Sequence, residues 1–204
     1  MSTTTEHHIT PSVELSAATK RVAVVSSSVR NGRMGPAITD WVVDLVKVNQ
    51  NVEVDLIDLA EISLPSDREL YPGGGPKTEV SSRIEAAEAF VIVTPEYNHS
   101  YPASLKRLID WHYNEWMFKP VMIVAYGVQG GYAAIEHLRG VLAELNMVTI
   151  RRCLGLPAPW NTMDEAERYE PGESVTGRLR IALAELDWWA SMLTQARDRS
   201  PFPS

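Results

Sequence analysis

Three short loops hold the residues whose types and spacing can bind a ligand, and each follows an apolar run. The first reads Ser26-Ser27-Ser28-Val29-Arg30-Asn31-Gly32-Arg33-Met34-Gly35. Its adjacent hydroxyls are small donors, and Asn31, Gly32 and Gly35 let successive backbone N–H groups turn inward as an anion nest. Arg30 and Arg33 add charge and paired hydrogen bonds suited to a dianion. Ser26, Ser28, Met34 and Gly35 complete the candidates of this loop. The second loop, Pro95-Glu96-Tyr97-Asn98-His99-Ser100, can offer backbone donors and acceptors to the polar edge of a flat ring. Pro95 fixes one backbone angle and holds Thr94 extended, so the loop leaves its strand in a restricted direction. In the third, Tyr126-Gly127-Val128-Gln129-Gly130-Gly131, the glycines Gly127, Gly130 and Gly131 allow close main-chain approach.

The flanking segments alternate between strand and helix. Val22–Val25, Phe90–Val93 and Pro120–Ala125 are continuous apolar runs, as expected of parallel strands covered on both faces. Val52–Asp58 alternates only in part and suits a sheet edge. Val148–Leu154 reads as the fifth and last strand. Helical spacing marks Ile38, Trp41, Val42, Leu45 and Val46 after Pro36, and Leu105, Leu108 and Ile109 after Pro102. A short helix is expected around Val80, Ile84 and Ala87, another around Leu138 and Leu142, and a final one from Leu179 to Leu193. Residues 60–77 and 155–176 carry Pro and Gly without a period and read as loops.

The 204 residues are 45% apolar and 22% charged, a globular composition. The expected organisation is a flexible N-terminal tail over residues 1–19 and one domain over residues 20–199. A formal net charge of −7 argues against nucleic acid or an anionic membrane as a partner, since both require a basic face. One cysteine, Cys153, excludes an internal disulfide and suits a reducing compartment. No apolar run approaches the ~20 residues of a membrane span, and Met1–Thr19 lacks the apolar core of a secretory signal. The expectation is a cytoplasmic protein. His112 and His137 lack metal-ligand spacing, so no metal site is expected.

Alternating strands and helices give an α/β fold with a doubly wound, five-stranded parallel sheet. Right-handed crossovers and a polar second strand suit the flavodoxin-like order 2-1-3-4-5. That order brings the loops after strands one, three and four together at the carboxyl edge, where the winding reverses. The triphosphate motif G-x-x-x-x-G-K-[ST] and the dinucleotide motif G-x-G-x-x-G are both absent. One phosphate cradle beside a ring-sized slot fits a mononucleotide such as FMN.

At these residues the sequence resembles the NADPH-dependent FMN reductase family of flavodoxin-like oxidoreductases. The family's first loop, G-S-x-R-x-x-R/S, stands here as Ser27-Ser28-Val29-Arg30-Asn31-Gly32-Arg33. Its second, P-E-Y-N-x-S-x-P-x-x-L-K, matches Pro95 to Lys106 throughout. Its third, a Gly-rich loop and a helix ending in Leu-Arg, resembles Tyr126-Gly127 through Leu138-Arg139. Ser27 stands where the family usually has glycine. The resemblance implies that Ser28, Arg30 and Arg33 hold the FMN phosphate. It also implies that Pro95, Glu96, Tyr97, Asn98, Tyr126 and Gly127 border the flavin ring. NADPH or NADH would then deliver hydride, and a small-molecule electron acceptor such as a flavin, quinone, azo compound or oxidised metal species would take it. The catalytic group would be FMN itself, and a homodimer or homotetramer is implied. The alternative is an FMN-binding, flavodoxin-like carrier that takes electrons from a protein partner.

Overall fold

The computed structural model describes residues 19–200 and residue 202. The expected tail over residues 1–19 therefore lies, apart from Thr19, outside the described residues. The chain runs β1 (Lys20–Ser26), α1 (Gly35–Lys47), β2 (Val52–Asp58), α2 (Ser81–Ala86), β3 (Ala89–Pro95) and α3 (Ala103–Trp111). It continues with β4 (Pro120–Gly127), α4 (Tyr132–Glu144), β5 (Val148–Thr149), β6 (Leu154–Pro157) and α5 (Glu173–Arg199). The sheet is parallel with order β2-β1-β3-β4-β5, and β6 also pairs with β4. This is the expected flavodoxin-like α/β architecture.

Side-chain alternation divides the core between the two faces of the sheet. Ala23, Val25, Phe90 and Ile92 pack with Ile84, Leu105, Leu108 and Leu138 from α2, α3 and α4. Val22, Val24, Val91 and Val93 pack with Ile38 and Val42 of α1 and with Leu179, Ala182 and Leu186 of α5. The inner strands β3 and β4 are buried almost throughout, whereas β2 is largely half-exposed, as its mixed sequence requires. The long segment before α2 is pinned to α3: the Gly75 N–H donates to the Trp111 carbonyl at 2.9 Å, and Trp111 Nε1 donates to the Pro76 carbonyl at 2.9 Å.

The fifth strand differs from expectation. Val148 and Thr149 pair with Pro120 and Val121, and pairing resumes only where Leu154 meets Val124. Between those points β4 advances three residues and its neighbour five, so two extra residues are looped out. Arg151 and Arg152 occupy the bulge, exposed. Glu185 of α5 accepts from the Arg151 N–H (3.1 Å) and the Arg152 guanidinium (2.7 Å), while Arg139 of α4 donates to the carbonyls of Ile150 and Arg151. Six strands thus fill five positions. Beyond the bulge β6 carries the chain to the carboxyl edge, where Pro157 pairs with Gly127.

Candidate active site

The first loop leaves β1 without a break, because the Ser27 N–H still donates to the Val93 carbonyl of β3 at 3.0 Å. Ser26, Ser27 and Ser28 are buried, and none of their hydroxyls has a hydrogen-bond partner, although the Tyr126 phenol approaches Ser28. A buried hydroxyl without a partner costs about 1–3 kcal/mol, so three in succession mark a place where an acceptor is missing. Gly35 packs against Ser28: a Cβ there would lie 2.1 Å from Ser28 Oγ, so a side chain would require the hydroxyl to move.

The two arginines divide their work. Arg30 is exposed, with its guanidinium carbon 4.2 Å from the centre of the Tyr97 ring, a cation–π contact joining the first loop to the second. Arg33 departs from the expectation of a free anion ligand. Its terminal nitrogens donate to both Asp58 carboxylate oxygens at 2.6 and 2.7 Å, and Nη1 also reaches the Ser28 carbonyl at 2.8 Å. Parallel register sets Asp58, the last residue of β2, beside Ser26, so a carboxylate stands next to the loop and neutralises this arginine. That bonding to Asp58 raises the Arg33 pKa.

The second loop closes as a two-residue hairpin. The N–H groups of Tyr97 and Ser100 donate to each other's carbonyls at 2.8 and 3.0 Å. Asn98 and His99 between them have φ of 48° and 67°, the two positive values of a type I′ turn. The Glu96 N–H donates to the Tyr126 carbonyl at 2.7 Å, extending the β3–β4 ladder. The Glu96 carboxylate accepts from the Ala133 N–H at 3.1 Å in the first turn of α4, where the helix dipole favours negative charge. Burial pushes the Tyr126 phenol up to about 12, so it is a neutral donor at physiological pH.

A cleft of about 1740 Å³ opens over this edge. It brings together Arg30, Asn31, Arg33 and Met34 of the first loop, Pro95, Glu96, Tyr97 and Asn98 of the second, and Tyr126 and Gly127 of the third. Ser26, Ser28 and Gly35 are buried and do not line it. His99 and Ser100 also do not line it; His137 of α4 comes within 3.0 Å of the Ser100 hydroxyl and 6.1 Å, ring to ring, of His99. Gly130 and Gly131 also do not line the cleft, and the fold itself requires small residues there. A Cβ on Gly131 would stand 2.6 Å from Ala125 and Tyr126, and one on Gly130 would stand 2.7 Å from the Tyr132 ring. Their φ angles are 76° and 96°.

One wall of the cleft was not visible in the motifs. The Ala158 N–H donates to the Gly127 carbonyl at 2.8 Å, and the chain then turns through Trp160 and Met163 to Tyr169 along the cleft. Met163 and Tyr169 pair antiparallel, and Tyr169 stands edge-on to Trp41 of α1 with ring centres 5.2 Å apart. Only Trp160, an aromatic residue just past a strand end, carried a signal. Among the described residues no group of three or more His, Cys, Asp or Glu is placed to hold a metal ion, and no helix is long and apolar enough to cross a membrane.

Comparison with known proteins bears on this geometry. An NAD(P)H-dependent FMN reductase of Schizosaccharomyces pombe is 36% identical over 137 residues, covering 63% of this chain and 68% of the relative. One from Saccharomyces cerevisiae is 36% identical over 147 residues, covering 64% and 77%. The Escherichia coli quinone reductase is 30% identical over 140 residues, covering 65% and 74%. Among solved structures, the flavoenzyme NAD(P)H:(acceptor) oxidoreductase FerB of Paracoccus denitrificans superposes with a TM-score of 0.69 at 23% identity, over 85% of this chain and 98% of its own, a likeness of fold. The family model for NADPH-dependent FMN reductase matches residues 20–160, and the chain belongs to that family.

Proposed function

We propose that the cleft holds FMN, with the phosphate at Ser26–Gly35 and the ring between Pro95–Asn98 and Tyr126–Gly127. The protein is an NAD(P)H-dependent FMN oxidoreductase. The observation that carries the site assignment is the meeting of Arg30, Asn31, Tyr97 and Tyr126 in one cleft, with the buried hydroxyls of Ser26, Ser27 and Ser28 left without partners in the same first loop. These residues fit a phosphate: small donors, a nearby guanidinium, and the start of α1 with its free N–H groups. The cleft exceeds the ~300–1,000 Å³ of a single-ligand pocket, which leaves room for a second flat molecule over the ring.

Bound FMN supplies the capacity to accept hydride from a nicotinamide and give it to an oxidant. The chain supplies position. Glu96, locked to α4, fixes the loop at the ring's polar edge, and Tyr97 with Arg30 forms a ledge beside it. Tyr126, kept neutral by burial, can donate one hydrogen bond without adding charge. Overall, NAD(P)H loses a hydride to become NAD(P)⁺, while a quinone takes that hydride and one solvent proton and leaves as the hydroquinone. No side-chain acid or base is required for the hydride step, whose rate depends on distance and alignment.

Small-molecule acceptors, self-association as a homodimer or homotetramer, and a cytoplasmic location belong to the same reading. Its test is the visible spectrum of the purified, FMN-loaded protein before and after anaerobic NADPH or NADH. A reductase bleaches directly. A yellow protein that neither nucleotide bleaches would be an electron carrier, and a protein that takes up no FMN would overturn the site.

A further inference from the structure

The segment from Pro159 to Glu170 is the part of the cleft wall that lies almost wholly beyond the stretch shared with the family, which ends at residue 160. It is stiff. Asp164 Oδ1 accepts from the N–H groups of Ala166 (2.9 Å) and Arg168 (2.8 Å), and Oδ2 accepts from the Arg168 guanidinium at 2.6 and 2.8 Å. The Glu170 N–H donates to the Thr162 carbonyl, and Tyr169 is buried against Trp41. A wall so braced is built before anything binds. Trp160 nevertheless remains 48% exposed in the cleft, a large aromatic face with no stacking partner among the described residues.

The wall is also charged in one direction. From Pro159 to Glu170 it carries Asp164, Glu165, Glu167 and Glu170 against Arg168 alone. Of the cations that line the cleft, Arg168 is paired with Asp164 and lies 3.4 Å from Glu170, Arg33 is paired with Asp58, and Arg30 lies over the Tyr97 ring in the first loop. Lys47 stands in the last turn of α1, some 18 Å of helix from the first loop. Asp40 of α1 adds a further carboxylate. Glu167 lines the cleft with no ion-pair partner among the described residues.

We infer that Pro159–Glu170 is the acceptor-selecting wall, with Trp160 as its stacking surface, and that it takes flat aromatic acceptors that are neutral or cationic in preference to anionic ones. This rests on the cleft being the flavin site. An aromatic acceptor over the ring would have Trp160 as its second contact, and a sulfonate or carboxylate on it would meet Glu167 and Glu170.

The test uses FMN-loaded protein and two redox-inert probes of similar size, N-methylquinolinium and naphthalene-2-sulfonate, titrated by calorimetry at low ionic strength. The cation is expected to bind at least about tenfold tighter, with the gap narrowing as salt screens the wall. The Glu167→Gln/Glu170→Gln double variant should reduce the gap to about threefold or less, and Trp160→Ala should weaken both probes alike. Equal affinities, a gap unmoved in the double variant, or Trp160→Ala without effect would each overturn the inference. Trp160 and both glutamates are exposed, so these variants leave the core intact. Bleaching by NADH or NADPH, read on the same sample before either probe is added, separates failure of the flavin assignment from failure of this one.

Discussion

Arg30 and Arg33 are three residues apart and of one type, yet their surroundings give them different work. Arg30 lies over an aromatic face and has no ion-pair partner among the described residues, so its charge remains available to an anion. Arg33 is paired with Asp58 and also held by the Ser28 carbonyl, which ties the first loop to the end of β2. Arg30→Ala is therefore expected to weaken FMN binding by about 1–3 kcal/mol through a lost charge-assisted contact, while leaving the urea midpoint near that of the parent. Arg33→Ala should do the reverse first, lowering the midpoint because a half-buried carboxylate loses its only ion-pair partner among the described residues. Calorimetric FMN titration and urea denaturation of both variants check the pair. Equal effects on binding and stability would refute the division. The sequence showed both arginines in a phosphate-type loop, but not the 25-residue separation over which strand register closes Arg33 onto Asp58.

Among the elements, the junction of α2 with β4 carries an ionisable group at odds with its setting. Lys119, just before β4, is buried, and its ammonium donates to the carbonyls of Ile84 and Glu85 at 2.9 and 2.7 Å, satisfying the last turn of α2. Burial, reinforced by the charge of Arg197, lowers its pKa from 10.5 to about 8. Between pH 8 and 10.5 the unfolded chain holds a proton that the folded chain has released, so stability rises with pH across that window. The full gain is on the order of 3 kcal/mol and is absent below pH 8, where both states are charged. Urea unfolding at pH 7, 9 and 10.5 should show this rise in the parent and its loss in Lys119→Met. A parallel pH dependence in the two proteins would show that Lys119 titrates normally. Most elements were legible because each carries its own period, from the apolar runs of β1, β3 and β4 to the stripe of α1. The split fifth strand was not. Val148–Leu154 reads as one strand because an apolar run does not encode a two-residue bulge, and the bonds that hold it come from Arg139 and Glu185 on two different helices.

At the scale of the whole molecule, strand order explains why a cleft beside these loops could be expected in advance, and the bulge explains why its far wall could not. Reversal of winding between β1 and β3 sets three loops side by side whatever their side chains, so candidates chosen by residue type fell largely within one cleft. The wall from Trp160 to Tyr169 reaches that cleft only because β6 is displaced along β4, and its own sequence has no period. The outer face of α5 raises a separate question. Leu179, Ala182 and Leu186 bury one side of that helix, yet Ile181 and Trp188, seven residues apart on another, remain 58% and 52% exposed. Two large apolar side chains one heptad apart on an exposed helix form a patch that a second copy can cover. Opposing this is the net charge of −7 on each copy, a repulsion that salt screens. If the patch is the subunit contact, sedimentation velocity should show a dimer or tetramer whose dissociation is favoured at low ionic strength. Ile181→Glu/Trp188→Glu should then run as a smaller species while its far-ultraviolet circular dichroism is unchanged, since neither side chain belongs to the core. An assembly that survives both substitutions would place the contact elsewhere, and a monomeric parent would mean that α5 presents this face to water.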